Sequence, residues 1–504
     1  MNKIKVSIVT LLALIAVGAS SCGGNKPVNP DDGNNDNNNP DGVIKIPFWN
    51  TFNKTQQAQM EGLATRFEEL IFENEGVKVD VVPSPQGGYN EIEGKMIKAF
   101  SSGKLPTIAV AYPDHVATYL QQESKAGKKG QYIVQLDDLI NDPEIGIDKE
   151  TYLCDQGIED FVPSFLDEGK HYIYEGTYSL PYMKSTEIML YNKDKVSDVL
   201  KEMGITTSVN RYMKNITWDE FSQMLDFINK NRGLFGMENT PDQEKYPLFY
   251  DSDANMFITQ SFQRGIDYIG IDENGKGQIL FDNPEAKALL KELNALHQNG
   301  TLITKLTNQN QYSSDFFINE NCIFAVGSTG GSGYSDPGVN FDVGVCKFPT
   351  YKTATEEQQK YVSQGVTLCL FNNPKISKEE NDLKVKYAWK FMKYITNPVN
   401  SADACMISNG YVPARFSAYE TNDYAAYLDL AAEGDYMATC AKSVIEDING
   451  RYFNYPVFAG SSDARKEVGK MVNDILRLTD ADPTAKIDSL VRKSVENIRT
   501  QMPA

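Results

Sequence analysis

Apolar positions in the stretch from residue 43 to residue 112 switch repeatedly between two spacings. Val43, Ile44, Ile46 and Phe48 read as a strand. Met60, Leu63, Ala64, Phe67, Leu70 and Ile71 then recur at helical spacing, and Gly76 ends the stripe. Val77, Val79 and Val81 give a second strand, and residues 107–112 a third, with a helical stretch at 89–101 between them. Strand, helix, strand, helix, strand in this order predicts a parallel sheet faced by helices. Further on, Thr217-Trp218-Asp219-Glu220 is a capping box ahead of the stripe Phe221, Met224, Leu225, Ile228. Asn283-Pro284 starts a helix that buries Ala286, Leu289, Leu290, Leu293 and Leu296 and stops at Gly300. Helices also dominate the end, at 468–478 and 487–502, and no short repeat is present. The body reads as α/β throughout.

Length and charge narrow the function classes. At about 100–200 residues per domain, 504 residues allow two to four domains. Lys and Arg number 49 against 68 Asp and Glu, a net charge of −19. That balance excludes phosphate-backbone binding, so no nucleic-acid partner is expected. The acid is spread along the chain and reads as solubilising charge. Three histidines, His115, His171 and His297, leave little for His-based metal or catalytic schemes. Among the acidic residues no spacing singles out a catalytic pair.

The first 22 residues place the chain outside the cytoplasm. Lys3 and Lys5 precede a largely apolar run over residues 6–17, too short to span a bilayer and suited to a signal peptide. It ends in Ala19-Ser20-Ser21-Cys22, which resembles a bacterial lipobox. Residues 1–21 would be removed and Cys22 would carry acyl chains such as palmitate, holding the protein at a membrane surface. Residues 23–42, rich in Asn, Asp, Gly and Pro with Val28 as the one apolar side chain, read as a disordered tether. No later stretch is apolar enough to span, so the membrane is reached through the lipid anchor only. The remaining cysteines, 154, 322, 346, 369, 405 and 440, show no CxxC spacing. They read as buried free thiols in preference to a disulfide framework, and no metal site is expected.

Four segments could meet a ligand or could be ordinary structure. The loop Gly327-Ser328-Thr329-Gly330-Gly331-Ser332-Gly333 lacks the Lys of a phosphate-binding loop and the spacing of a nucleophile elbow. It is either a plain connection or a backbone that approaches a ligand closely. Gln86-Gly87-Gly88-Tyr89 is a turn or a site. Tyr246-Pro247-Leu248-Phe249-Tyr250 would stack on a sugar ring or fill the core. Trp49 and Trp218 carry the same two readings, with Trp218 read as packed at its helix start.

Taken in order, the segments resemble a known family. IPFW at 46–49, GGYNEIEGKMIKAFSSGKLPTIAV, SLPYMKSTEIMLYNKD, TWDEF, FDNPEAKALLKEL, FAVGSTGG, QGVTL, FMKYITNP and NGYVPARF are closely similar to family 1 extracellular solute-binding proteins, over essentially all of residues 43–504. Within that family the chain resembles the glycerol-3-phosphate binders of ABC importers, then the oligosaccharide binders. The resemblance implies a two-lobed, type II fold like that of maltose-binding protein, with hinge strands between the lobes and the ligand in the interlobe cleft. It places lobe one at 43–187 plus 365–412 and lobe two at 188–364 plus 413–504, crossing near 185–191, 365–369 and 411–415. It also implies a monomer with no catalysis and no cofactor, closing on its ligand and docking on ABC permease subunits.

Site residues carry over from the resemblance one at a time. Tyr89 matches a ligand-contacting Tyr after the Gly-rich turn, and Ser185 a Ser of the crossing strand, with Lys184 replacing a second Ser. Ser328 and Thr329 match a Ser pair at the cleft, Gly365 a Gly whose N–H faces the ligand, and Tyr411 the Tyr of a GYxP motif. Phe249 and Tyr250 fall near aromatic cleft residues. Two positions depart from the glycerol-3-phosphate pattern. Pro113 stands where a Glu follows the third strand, with Asp114 beside it. No Arg lies near residues 455–458 to pair a phosphate, leaving Arg451 or Arg465 as substitutes. The expected ligand is therefore a neutral carbohydrate, with glycerol-3-phosphate or its diesters as the alternative. Other classes are a surface glycan-capture lipoprotein without transport, and a secreted hydrolase.

Overall fold

The computed structural model describes residues 42–125, 127, 130–148, 156–170, 172–273, 276–408, 410–448 and 450–502. The leader, Cys22, nearly all of the tether, His171 and Cys154 lie outside the described residues.

Local signals set most of the opening elements. The helix Lys54–Glu75 buries Met60, Leu63, Ala64, Phe67 and Ile71, and it ends at Gly76 in the left-handed region. The strand Val79–Pro85 begins two residues later than the valine pattern suggests and runs past Val81 into Pro83 and Pro85. It can do so because it pairs with Ile44–Asn50 on one side and ends its sheet on the other, where a proline costs no ladder bond. The helix Tyr89–Ser102 and the strand Ile108–Ala111 follow as expected. Thr217 and Glu220 form the reciprocal capping box of helix Trp218–Lys230, and Trp218 is buried at its start. Asn283 caps Pro284–Gln298 by accepting the Ala286 N–H.

Two sheets organise the chain. The first has the spatial order Val412–Pro413, Leu180–Ser185, Gln364–Leu370, Ile108–Ala111, Ile44–Asn50, Val79–Pro85. Its three earliest strands are parallel, as the βαβαβ pattern requires, whereas the three later ones enter antiparallel. The second has the order Val343–Cys346, Glu187–Asn192, Phe324–Ser328, Leu248–Tyr250, Leu302–Thr304. Both sheets are mixed because the chain leaves the first, builds the second and then returns.

The crossings are short. Thr186 alone separates Leu180–Ser185 of the first sheet from Glu187–Asn192 of the second. The return runs through residues 361–364: Tyr361 and Val362 pair with Tyr452 and Phe453, and Gln364 then pairs with Ser185. Residues 411–415, expected to be a third crossing, stay with the first sheet. Val412 and Pro413 pair with Lys184 and Met183, and Arg415 bridges to Phe161. The handover comes further on, where helix Asn422–Glu433 packs on Pro398–Ser408 and Tyr436–Glu446 packs on Val343–Cys346. Helix Ser461–Leu476 then lies against Asp253–Arg264 and Pro284–Gln298, and it also reaches Pro113–Lys125 beside the first sheet.

Candidate functional site

Where the two sheets face each other, their strand ends and neighbouring helix starts enclose a cleft of about 1320 Å³. Ligand pockets are usually roughly 300–1,000 Å³, so this one has room for more than a single small ring. A smaller depression of 640 Å³ is lined by one continuous stretch near residues 229–239 and meets no strand end.

Six of the nine expected ligand residues line the cleft: Tyr89, Asp114, Ser185, Ser328, Gly365 and Tyr411. Gly87, with φ of 97°, turns the chain so that Tyr89 opens its helix, and the Tyr89 ring stacks on Tyr112 at 4.0 Å. Asp114 lies in the first turn of Pro113–Lys125. Ser185 ends one sheet's strand and Ser328 the other's, and the Ser328 hydroxyl donates to the Ser185 Oγ at 3.2 Å across the cleft floor. Gly365 has φ of 104°, and a Cβ there would sit 2.2 Å from the Met183 carbonyl oxygen, so the hinge strands approach through a glycine.

The other three lie off the cleft wall. Phe249 is fully buried in an apolar cluster with Ile188, Leu190, Ile303 and Phe317. Tyr250 is also fully buried and donates its hydroxyl to Glu187 Oε2 at 2.9 Å. Thr329 turns inward, where its Oγ1 accepts the Thr186 N–H and its own N–H donates to the Thr186 carbonyl at 2.8 Å. Successive residues of an extended chain point to opposite faces. One residue's difference in register therefore separates Tyr250 from Asp251, and Thr329 from Ser328.

Asp251 and Glu187 are site residues that the sequence reading missed, along with Glu168, Asn255 and five tyrosines: Tyr112, Tyr268, Tyr312, Tyr334 and Tyr455. Glu187 had a signal: it stands two residues from Ser185 on an extended segment and so shares its face. Burial pushes the Glu187 carboxyl up to about 7 against the opposing effect of its Thr259 and Tyr250 donors. Burial likewise raises Asp251 to about 6, although the Ser313 N–H bonds it at 2.7 Å. Burial raises the phenols of Tyr89 and Tyr411 as well, so both stay protonated hydrogen-bonding groups at neutral pH.

Of the two arginines considered, Arg451 lies outside the lining, its exposed side chain pairing with the buried Asp447 that caps helix Tyr436–Glu446. Arg465 does line the cleft. Its Nε lies 3.3 Å from Asp114 Oδ2, and its Nη1 donates to Asn255 Oδ1 at 3.0 Å. Lys184 is not in the lining itself, and its Nζ lies 2.6 Å from the carboxylate of Glu168, which is.

Two α/β lobes joined by crossing strands, with a ligand-sized cleft at the strand ends, define a two-lobed solute-binding protein of the maltose-binding-protein type. The chain belongs to the bacterial extracellular solute-binding protein family, whose model matches residues 62–432. It is 23% identical over 385 residues to the sn-glycerol-3-phosphate-binding periplasmic protein UgpB of Shigella dysenteriae serotype 1, covering 76% of this chain and 77% of that one. Among solved structures it resembles UgpB of Mycobacterium tuberculosis in complex with glycerophosphocholine. The TM-score is 0.63 at 19% identity, over 90% of this chain and 98% of that one. It also resembles the GacH receptor of Streptomyces glaucescens, solved unliganded and with acarbose. There the TM-score is 0.62 at 18% identity, with the same two coverages. Among the described residues no helix is long and apolar enough to cross a membrane.

Proposed function

We propose that this chain is the substrate-binding lipoprotein of an ABC importer, anchored through Cys22, and that it captures a neutral carbohydrate in the interlobe cleft for delivery to permease subunits. The observation that carries the choice of ligand is the state of Arg465. The guanidinium already faces Asp114 and Asn255. The cleft otherwise holds four more carboxylates, Asp167, Glu168, Glu187 and Asp251, of which Glu168 is neutralised by Lys184 behind the lining, against one more lining cation, Lys305. Carboxylates accept hydrogen bonds from sugar hydroxyls and repel a phosphate. Seven tyrosines line the same space, and their ring faces and hydroxyls suit the apolar and polar sides of a pyranose. Of these, Tyr268 and Tyr455 meet edge to face at 4.9 Å.

Tyr89, Ser185, Ser328, Gly365 and Tyr411 are the contacts we assign to the ligand, with Asp114 acting on Arg465. Glycerol-3-phosphate or a glycerophosphodiester is the second reading, and the presence of an arginine in the cleft is what favours it.

The test is calorimetry on residues 42–504 against neutral oligosaccharides, sn-glycerol-3-phosphate and glycerophosphocholine. Saturable heat with a neutral oligosaccharide is the expected result, accompanied by a rise in melting temperature. A bound ligand at one hundred times its Kd adds about 2.7 kcal/mol to stability. Saturable binding of a phosphate ester alone would overturn the assignment.

A further inference from the structure

The contact between Arg465 and Asp114 joins the two lobes. Arg465 is in the first turns of helix Ser461–Leu476, which packs on the second lobe's helices, and Asp114 opens helix Pro113–Lys125 of the first lobe. Asp114 is nearly sealed from solvent, with 8% of its side chain exposed, while 41% of the Arg465 side chain is open to the cleft. The carboxylate is fixed on its own side too, since Oδ1 accepts the His115 N–H at 3.0 Å. Beside this pair, Lys466 is tied to Glu93 of helix Tyr89–Ser102. The Asp114 charge is the strongest of the neighbouring influences that favour the charged guanidinium, ahead of Tyr268, Tyr112 and Glu187. The guanidinium therefore already has a buried carboxylate as its counter-charge, 3.3 Å from Nε.

We infer that Asp114 is the specificity-determining residue of this cleft, an internal counter-anion that neutralises Arg465 and thereby excludes phosphate-bearing ligands. This inference rests on the carbohydrate reading. An arginine is the preferred partner of a phosphate because its fork of N–H donors matches two phosphate oxygens. A phosphate entering here finds the Asp114 carboxylate already 3.3 Å from Nε and one terminal nitrogen donating to Asn255. It also meets the Asp114 charge at close range in a partly desolvated site, where like charges repel strongly. A neutral polyol meets no such repulsion, and it can use whatever donors Arg465 still presents to the cleft. Specificity of this kind is built by repulsion against the wrong ligand as much as by attraction for the right one.

The experiment is calorimetry of the full-length protein with sn-glycerol-3-phosphate and, separately, inorganic phosphate as probes. Wild type is compared with Asp114→Asn, Asp114→Ser and the double variant Asp114→Asn, Arg465→Met. Asp114→Asn retains an oxygen that can accept the His115 N–H, so the helix start keeps its bond. Asp114→Ser removes the carboxylate by a different route, should the amide disturb packing. The expected result is a gain of at least about tenfold in sn-glycerol-3-phosphate affinity in either single variant, lost again in the double variant. If wild type ignores the phosphates and the folded Asp114 variants ignore them equally, the counter-anion role is wrong and the carbohydrate reading stands. If wild type binds sn-glycerol-3-phosphate as tightly as the variants do, both the role of Asp114 and the carbohydrate reading fall. A gain that persists without Arg465 also overturns the inference, because it would place the phosphate elsewhere.

Discussion

Lys184 and Glu168 meet at 2.6 Å with their side chains 1% and 4% exposed, where the first hinge strand passes beneath the cleft. Glu168 is a hub: it also accepts from the Asn454 side chain at 3.2 Å and from the Ser363 hydroxyl. Its partners thus come from the outgoing strand Leu180–Ser185, the return segment at 363 and the stretch after Phe453. One carboxylate ties together the outgoing and the returning crossing segments and adds the stretch after Phe453.

Removing the cation should therefore cost far more than a surface pair would. Lys184→Met leaves a buried carboxylate without its counter-charge, a change that costs about 3 kcal/mol or more. The double variant Lys184→Met, Glu168→Leu should recover most of that loss, because two apolar side chains need no compensation. Urea unfolding of the three proteins decides it. A single-variant cost below about 1 kcal/mol would mean that the pair is solvated in solution.

Glu187 gives the protein a pH signature. In the unfolded chain its carboxyl titrates near 4.5, whereas in the fold burial holds its proton up to about 7. Between those values the folded state binds the extra proton, so stability falls as pH rises and levels off above about 7. The slope from one such group is at most about 1.4 kcal/mol per pH unit. Asp251 and Asp253, both raised to about 6 by burial, act with the same sign at lower pH. His115 and His297, held neutral by burial, act with the opposite sign up to their ordinary value of 6.5. The informative quantity is therefore the difference between wild type and Glu187→Gln. Melting temperatures from pH 5 to pH 8 should show the variant gaining on wild type up to pH 7 and holding a constant lead beyond. Parallel curves would exclude Glu187 as the source.

The five described cysteines are buried free thiols: Cys322, Cys346, Cys369, Cys405 and Cys440. Burial also raises the thiol of each, so the reactive thiolate is scarce as well as hidden. With Cys22 and Cys154 replaced, native protein should give no fast reaction with Ellman's reagent, and denatured protein should release all five thiols without reductant. A fast-reacting thiol in the native state would contradict the packing around at least one of them.

Local signals made the fold legible, and non-local packing hid part of the site. The Thr217–Glu220 capping box, the Gly76 stop and the Met60–Ile71 stripe each concern residues within a few turns of one another, and each formed as read. The return of the chain into the first sheet as antiparallel strands depends on pairings such as Leu368 with Leu180, which no local pattern encodes. Within the site, six residues carried over from the family resemblance line the cleft: Tyr89, Asp114, Ser185, Ser328, Gly365 and Tyr411. The misses divide in two. Tyr250 and Thr329 were each one residue out of register with the cleft-facing Asp251 and Ser328, a parity that only strand alternation settles. Glu168, Asn255, Tyr268 and Tyr455 reach the cleft from segments far apart in the chain that no local pattern brings together; Arg465, one of the two arginines named from the sequence, lands opposite Asp114 by the same non-local docking.

The glycine loop at 327–333, read as either a plain connection or a close backbone approach to a ligand, packs its backbone against Tyr411. A Cβ on Gly330 would come within 2.3 Å of two ring carbons of Tyr411, so the loop backbone lies against the ring and holds it at the cleft wall. Ser328 supports this turn by accepting the Gly330 N–H at 3.3 Å. Gly330→Ala must push the ring away, since real carbon contacts do not approach that closely, and Tyr411 lies beside the Tyr89 phenol. Both the site and the fold should suffer. The variant should lose about tenfold or more in affinity for the carbohydrate that saturates the wild type, while its unfolding free energy falls by about 1–3 kcal/mol, as for other overpacked positions. Tyr411→Phe keeps the ring and should retain more affinity than Gly330→Ala if ring placement is what matters. Equal affinity in wild type and Gly330→Ala would show that Tyr411 takes no part in holding the ligand.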